Sequence, residues 1–487
     1  MSHSMAQTCV TSELAALIAS DPWRPRYHFM PPAQWMNDPN GPVCWKGRYH
    51  LFYQHNPGAA VWGNMHWGHA MSEDLVHWEH LPIALAPDSD GPDMHGCFSG
   101  TALVDGDVVR MIYFGNPHGI CIATSSDDDL VHWEKHPANP VISLPVHGEA
   151  AIVYDPCIWK EGDDYYALAG GYTPARRDTA LLFRSRDPEH WEYLHPFYEA
   201  DVTDPGEDCA VPDFFPLGSR HMLLFASHLR GAQYYIGTYA NHRFLPERHE
   251  RMVHSPPAGR VGILCEAYRM HAPDGRCILF GRASEGTHEH YYKDSGWSGV
   301  LTLPWELALG ADDMLHIEPV RELAKLRRSH VTVPAGEIPA NTAVSLDSVG
   351  GACLEIAVTL AAGSAKAYGL KLRCSPGGEE ETIIRYDPAA ATLTLDVLRS
   401  SQSPNVQNHL PETGPLELLP GEGLRLRIFI DRSIVEVFAN GRLCLIRRIY
   451  PVHPDSLGIA VFAEGGPAGV DSFEAWEMAG IWEDTEA

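Results

Sequence analysis

Short apolar runs alternate with turn residues along almost the whole chain, and a helical period is rare. Runs such as 108–114, 165–170 and 221–227 have strand length and are bounded by Gly, Pro, Asn or Asp. A motif repeats among them. Ser72-Glu73-Asp74-Leu75-Val76-His77-Trp78-Glu79 returns as Ser126-Asp127-Asp128-Asp129-Leu130-Val131-His132-Trp133-Glu134, and more loosely as Ser185-Arg186-Asp187-Pro188-Glu189-His190-Trp191-Glu192. The Trp recurs about every 57 residues, and about 300 residues of such pattern predict five propeller blades. The repeats are expected to be structural: the Trp packs blade on blade and the Ser/Asp run closes a turn.

The pattern changes near Val320. Val320 to Arg327 is charged and helical in period, which predicts a linker helix over 320–333. Strands with Gly, Pro and Asn turns follow at 353–360, 367–374, 382–386, 393–397, 424–430 and 434–438. An Asn440-Gly441 hairpin then leads to 443–449, a β-sandwich pattern. At the N-terminus, Leu14 to Ala19 predicts one short amphipathic helix. The expected fold is all-β: an extension over 1–26, a five-bladed β-propeller over 27–319 and a C-terminal β-sandwich over 334–487.

Composition narrows the function. The 487 residues carry a formal net charge of -27, which argues against nucleic-acid and membrane partners. It also disfavours a phosphorylated substrate unless a local Lys or Arg cluster overrides it. Eleven Cys, an odd number without a CxxC pair, read as reduced core residues of a cytoplasmic protein. No apolar run reaches the length of a membrane span. No Lys or Arg precedes Arg24, so the N-terminal apolar run reads as a helix and not as a signal peptide. His66-Trp67-Gly68-His69 reads as a strand edge, and no metal or organic cofactor is expected. Composition leaves the oligomeric state open.

The densest chemistry lies in Trp35-Met36-Asn37-Asp38-Pro39-Asn40-Gly41. Pro fixes φ, Gly and Asn tolerate positive φ, and Asn side chains bond local backbone, so Asp38 sits on a stiff turn. Rings and amides surround it: Tyr27, His28, Phe29, then Phe52-Tyr53-Gln54-His55-Asn56-Pro57. Ring faces suit the C–H surfaces of sugars, and amides pair with hydroxyls. These two stretches resemble glycoside hydrolase family 32, the invertase, levanase and inulinase family. Motif by motif, the resemblance runs from about Tyr27 to about Phe473, and its five-bladed propeller agrees with the repeat count.

The resemblance implies retaining hydrolysis of terminal β-D-fructofuranosyl units from sucrose, fructo-oligosaccharides or fructans, with Asp38 as nucleophile. Val153-Tyr154-Asp155-Pro156 resembles the family's Arg-Asp-Pro motif, which makes Asp155 the transition-state stabiliser. Tyr154 replaces the Arg. Gly206-Glu207-Asp208-Cys209-Ala210-Val211-Pro212-Asp213 resembles the Glu-Cys-Pro-Asp motif. The usual Glu lies two residues before the Pro, where this chain has Ala210. Glu207 is the expected acid/base, because Glu reaches further and titrates nearer the operating pH, with Asp208 in reserve. Asp213 is expected to support the acid/base or cap the next strand. Asn37, Gln54, Trp62, Phe98, Ser99, Tyr154 and Trp297 are the expected sugar contacts. Asp431 and Glu436, in a segment resembling the family's sandwich signature, are expected to be structural. A fructosyltransferase with the same residues, a non-catalytic fructan-binding protein and a related arabinosidase are the other readings.

Overall fold

Each repeat folds as a turn that ends one strand and begins another. Asp74 Oδ1 accepts the His77 N–H at 2.9 Å, Asp127 Oδ2 the His132 N–H at 2.7 Å, and Asp187 Oδ1 the His190 N–H at 2.8 Å. The indole N–H of Trp78, Trp133 and Trp191 closes the same turn onto the carbonyls of Leu75, Leu130 and Pro188. The Asp supplies the acceptor that backbone N–H groups lack once they leave a strand. The computed structural model describes residues 8, 10–146, 152–173, 176–198, 209–254, 263–311, 313–407 and 410–482.

Five antiparallel sheets follow one another through the first two thirds of the chain. Their first strands are Gln34–Trp45, Cys97–Asp105, Ile152–Glu161, Ala210–Leu217 and Leu264–His271. Each first strand touches the next in order, and the fifth touches the first, so the five form a ring. Trp297–Ser298 pairs in parallel with Gln34 and Trp35 and ties the end of this region to its start. Gly299 makes that approach possible: its φ is +92°, and a Cβ there would lie 1.9 Å from the Met36 carbonyl oxygen.

The C-terminal third is a sandwich of a seven-stranded and a six-stranded sheet. Leu354, Ile356 and Val358 of one sheet and Leu370, Leu372 and Ile384 of the other share one core. Asn440 and Gly441 have φ of 51° and 68° at the predicted hairpin. Between the two parts, the expected linker helix is only a 3-10 turn, Arg321–Leu326. Arg327–Val333 is a strand that pairs with Ala468–Met478, because Val331 and Val333 alternate with polar neighbours at period two. The N-terminal helix is present as Ser12–Ser20, capped by Thr11. The sequence reading missed the helix Glu289–Ser295. No helix among the described residues is long and apolar enough to cross a membrane.

Candidate active site

All five first strands carry the same irregularity. In each, two residues oppose one residue of the second strand, a bulge that turns side chains out of the ladder. Asn37 and Asp38 lie opposite Gln54, and Phe98 and Ser99 opposite Phe114. Asp155 and Pro156 lie opposite Ala169, Val211 and Pro212 opposite Phe225, and Cys265 and Glu266 opposite Arg282. Asp155 and Val211, each before a Pro, take the same unusual φ of 49° and 44°. Four of these five bulges bring a residue to one place, the fourth-sheet pair Val211 and Pro212 being the exception, and the residue types there decide the chemistry.

That place is a pocket of about 550 Å³. Of the expected site residues, Asp38, Asp155, Asn37, Gln54, Ser99 and Tyr154 line it, with Trp62 and Phe98 packed edge to face at 5.7 Å. Trp62 is 59% exposed and stands at the rim. Trp297 does not line the pocket. It is buried, and its indole N–H donates to Asp21 Oδ2 at 2.9 Å, since pairing with Gln34 turns its ring toward the N-terminal segment. Glu207 and Asp208 lie outside the described residues. Ala210 holds the register place that Tyr154 holds in the third sheet, and it packs in an apolar cluster with Val211, Ala226 and Tyr268. Asp213 faces away from the pocket: its carboxylate accepts the Arg269 N–H at 3.0 Å and ties the fourth sheet to the fifth.

Asp38 is held from both sides. Ser99 Oγ donates to Oδ2 at 2.6 Å and Asn37 Nδ2 donates to Oδ1 at 2.9 Å. Asn37 is fixed in turn by the Trp35 indole N–H at 2.7 Å, which also settles which end of its amide points at the acid. His55 Nδ1 donates to the Trp35 carbonyl at 2.7 Å, and burial pushes that ring down to about 4, so it stays neutral behind the site. Arg282 Nη1 lies 3.7 Å from Asp38 Oδ1 and donates to Glu266 Oε2 at 3.0 Å. Tyr268, fully buried, has its hydroxyl pushed up first by burial and then by the fields of Asp155 and Asp38, so it stays a neutral phenol near both carboxylates. Among the described residues no cluster of three His, Cys, Asp or Glu could hold a metal ion.

Glu266 and Arg282, with Phe114 and His228, line the pocket and were missed from sequence. A signal was present for the first two. Each is a single charge inside an apolar strand, Leu264-Cys265-Glu266-Ala267-Tyr268 and Leu279-Phe280-Gly281-Arg282-Ala283. Buried charges are kept only where paired or used.

The family model for the glycosyl hydrolases family 32 N-terminal domain matches residues 28–319, and the family 32 C-terminal model matches 322–477. The chain is 34% identical to the sucrose-6-phosphate hydrolase of Zymomonas mobilis subsp. mobilis, over 95% of this chain and 93% of that protein. It is 31% identical to the levanase of Bacillus subtilis, over 94% of this chain and 71% of that protein. Among solved structures, fructan 1-exohydrolase IIa from Cichorium intybus superposes with a TM-score of 0.85 at 25% identity, covering 94% of this chain and 98% of that one.

Proposed function

The chain belongs to glycosyl hydrolase family 32, and on that premise we propose a retaining mechanism in which Asp38 is the nucleophile. The protein is a β-fructofuranosidase-type hydrolase that cleaves fructosyl residues. The observation that carries the mechanism is Asp38 held by Ser99 and Asn37 at the wall of an open pocket that Asp155 also lines.

Asp38 attacks C2 of the fructosyl unit, the C2–O bond to the leaving sugar breaks, and the leaving oxygen takes a proton from the acid/base. A water then gives its proton to that same group and attacks C2, and Asp38 leaves as carboxylate. Two inversions retain configuration. Asp155 binds fructosyl hydroxyls as positive charge develops at C2, without taking the proton. Glu207 is our acid/base, on the segment just before the fourth sheet. Trp62, Phe98 and Tyr154 offer rings to the sugar, and Gln54 offers an amide. No cofactor enters these steps.

We read the ring of five sheets as a five-bladed propeller and residues 334–487 as the sandwich domain. The described pocket has three carboxylates, Asp38, Asp155 and Glu266, against one guanidinium already paired, which favours a neutral fructoside over a phosphorylated one. The ten cysteines among the described residues are free, which supports a reducing, cytoplasmic setting. Ala210 at the family's acid/base place favours one second reading, a protein that binds fructans without cleaving them.

A panel of sucrose, sucrose 6-phosphate, kestose, inulin and levan tests the proposal. Release of fructose from the unphosphorylated sugars is expected, with sucrose 6-phosphate a poorer substrate. Binding of the panel without released reducing sugar would establish the second reading. With sucrose in excess, fructosylated sucrose as the main product would instead mean transfer.

A further inference from the structure

We propose that Glu266 is a positioning residue: it holds the Arg282 guanidinium off Asp38 and so leaves the Asp38 carboxylate free to attack. This rests on Asp38 being the nucleophile and adds what sets its reactivity.

The geometry is a shared nitrogen. Arg282 Nη1 makes a 3.0 Å charge-assisted hydrogen bond to Glu266, but at 3.7 Å it gives Asp38 only a Coulombic contact. Glu266 is 5% exposed, and the side chains of Arg282 and Asp38 are 16% and 9% exposed, so water screens these charges little. The guanidinium also lies over the Trp35 ring, 5.9 Å from its centroid. Trp35 bonds Asn37, and Asn37 bonds Asp38. The contacts form a closed circuit from Arg282 through Trp35 and Asn37 to Asp38 and back, with Glu266 as its outside anchor. The fold sets this up, since Glu266 occupies the fifth bulge as Asp38 occupies the first, and Arg282 opposes it as Gln54 opposes Asp38.

A nucleophilic carboxylate has two needs that conflict. It must be ionised and able to leave as an anion in the second step, which a nearby cation favours. It must also direct a lone pair at C2, which a direct guanidinium bond would occupy. Two acids competing for one Arg meet both needs: the field of the cation reaches Asp38, and its hydrogen bond goes to Glu266. Without the Glu266 charge, the desolvated guanidinium has Asp38 as its nearest described acid and moves onto it.

Three variants test this, Glu266→Gln, Arg282→Gln and the double, each checked by thermal melting and assayed on the best fructoside of the panel. E266Q should lower kcat about 10- to 100-fold with KM little changed. The double variant should recover most of that loss, because it removes the cation that would block Asp38. A double variant as poor as the product of the two single losses overturns the inference and leaves the hydrolase reading standing. Should E266Q not fold, Glu266→Asp alone and with R282Q carries the same comparison, since the shortened acid releases its hold on the guanidinium. If the parent protein cleaves no fructoside, the functional reading fails. The crystal structure of E266Q then tests the inference alone: Arg282 hydrogen-bonded to Asp38 is expected, and an unchanged 3.7 Å separation overturns it.

Discussion

Two buried carboxylate clusters in this molecule are built on opposite principles. At the junction of propeller and sandwich, Asp431 accepts the backbone N–H groups of Arg26, Tyr27 and His28 at 2.7, 2.8 and 2.9 Å, and His28 Nδ1 at 2.9 Å. Glu436 accepts the Leu303 N–H at 2.9 Å, the Trp305 indole at 2.7 Å and His28 Nε2 at 3.3 Å. Both imidazole nitrogens donate to carboxylates, so His28 is an imidazolium. Four N–H groups bind Asp431 and three bind Glu436. At Asp38 one amide and one hydroxyl bind, the cation stays at 3.7 Å, and the remaining lone pairs face the pocket. Both clusters contain buried acids beside a cation. The densely bonded one holds the structure together, and the sparsely bonded one, at a pocket wall, can react.

The largest effect that could break this contrast is at the open cluster. Asp38→Asn keeps the shape and both neighbours but removes the nucleophile, so kcat/KM on sucrose should fall by about 10⁴ with the melting temperature nearly unchanged. Activity within tenfold of the parent would end the assignment of Asp38. At the closed cluster the outcome should reverse. Asp431→Asn leaves His28 and a row of N–H groups with a weaker acceptor, and breaking such a buried pair costs about 3–5 kcal/mol. Denaturant unfolding should register that loss, while activity per folded molecule stays near the parent's; a selective loss of kcat would place Asp431 in the chemistry.

The smallest effect is in pH. Burial alone would push His28 down, but its bonds to Asp431 and Glu436 outweigh it and raise the ring from 6.5 to about 9. A raised histidine stabilises the fold fully below about pH 6.5, and that stability is lost as pH rises through 9. Asp431 works the other way: burial would push it up, yet the His28 bonds hold it below 3.8, so its contribution disappears only as pH falls through that lowered value. Melting temperature followed from pH 6 to pH 10 should fall on the alkaline side, and His28→Gln should flatten that fall. An identical slope in both proteins would show that His28 is not the titrating group.

Much of this was legible in the chain because its cause is local. Asn37-Asp38-Pro39-Asn40-Gly41 and Asp155-Pro156 announce irregular backbone through residues that fix their own φ, but the turn expected at Asp38 is a bulge inside the strand Gln34–Trp45, because the flanking residues keep pairing with the second strand. The Asp of each repeat announces the turn it closes, and Asn440-Gly441 announces its hairpin. The strands and the all-β class follow from period two. Trp297 shows where such reading fails, because a Trp within a matched motif carries no mark of which way its ring faces. That direction was set by pairing with Gln34 and by Asp21, far away in sequence. The strand Arg327–Val333 was misread because its charged start has helical character, and only its pairing partner, Ala468–Met478, decides the matter.

Neighbours in the chain are enough to fix most of the strands, the repeat and hairpin turns and the irregular backbone at Asp38. The company that carboxylate keeps is set by packing between sheets. Ser99, Asp155 and the Glu266–Arg282 pair come from three different sheets, far apart in the chain. They meet Asp38 because the first strands of the five sheets close into a ring with their bulges in one register. Nothing in the residues near any one bulge encodes that closure, which depends on the packing of all five sheets together.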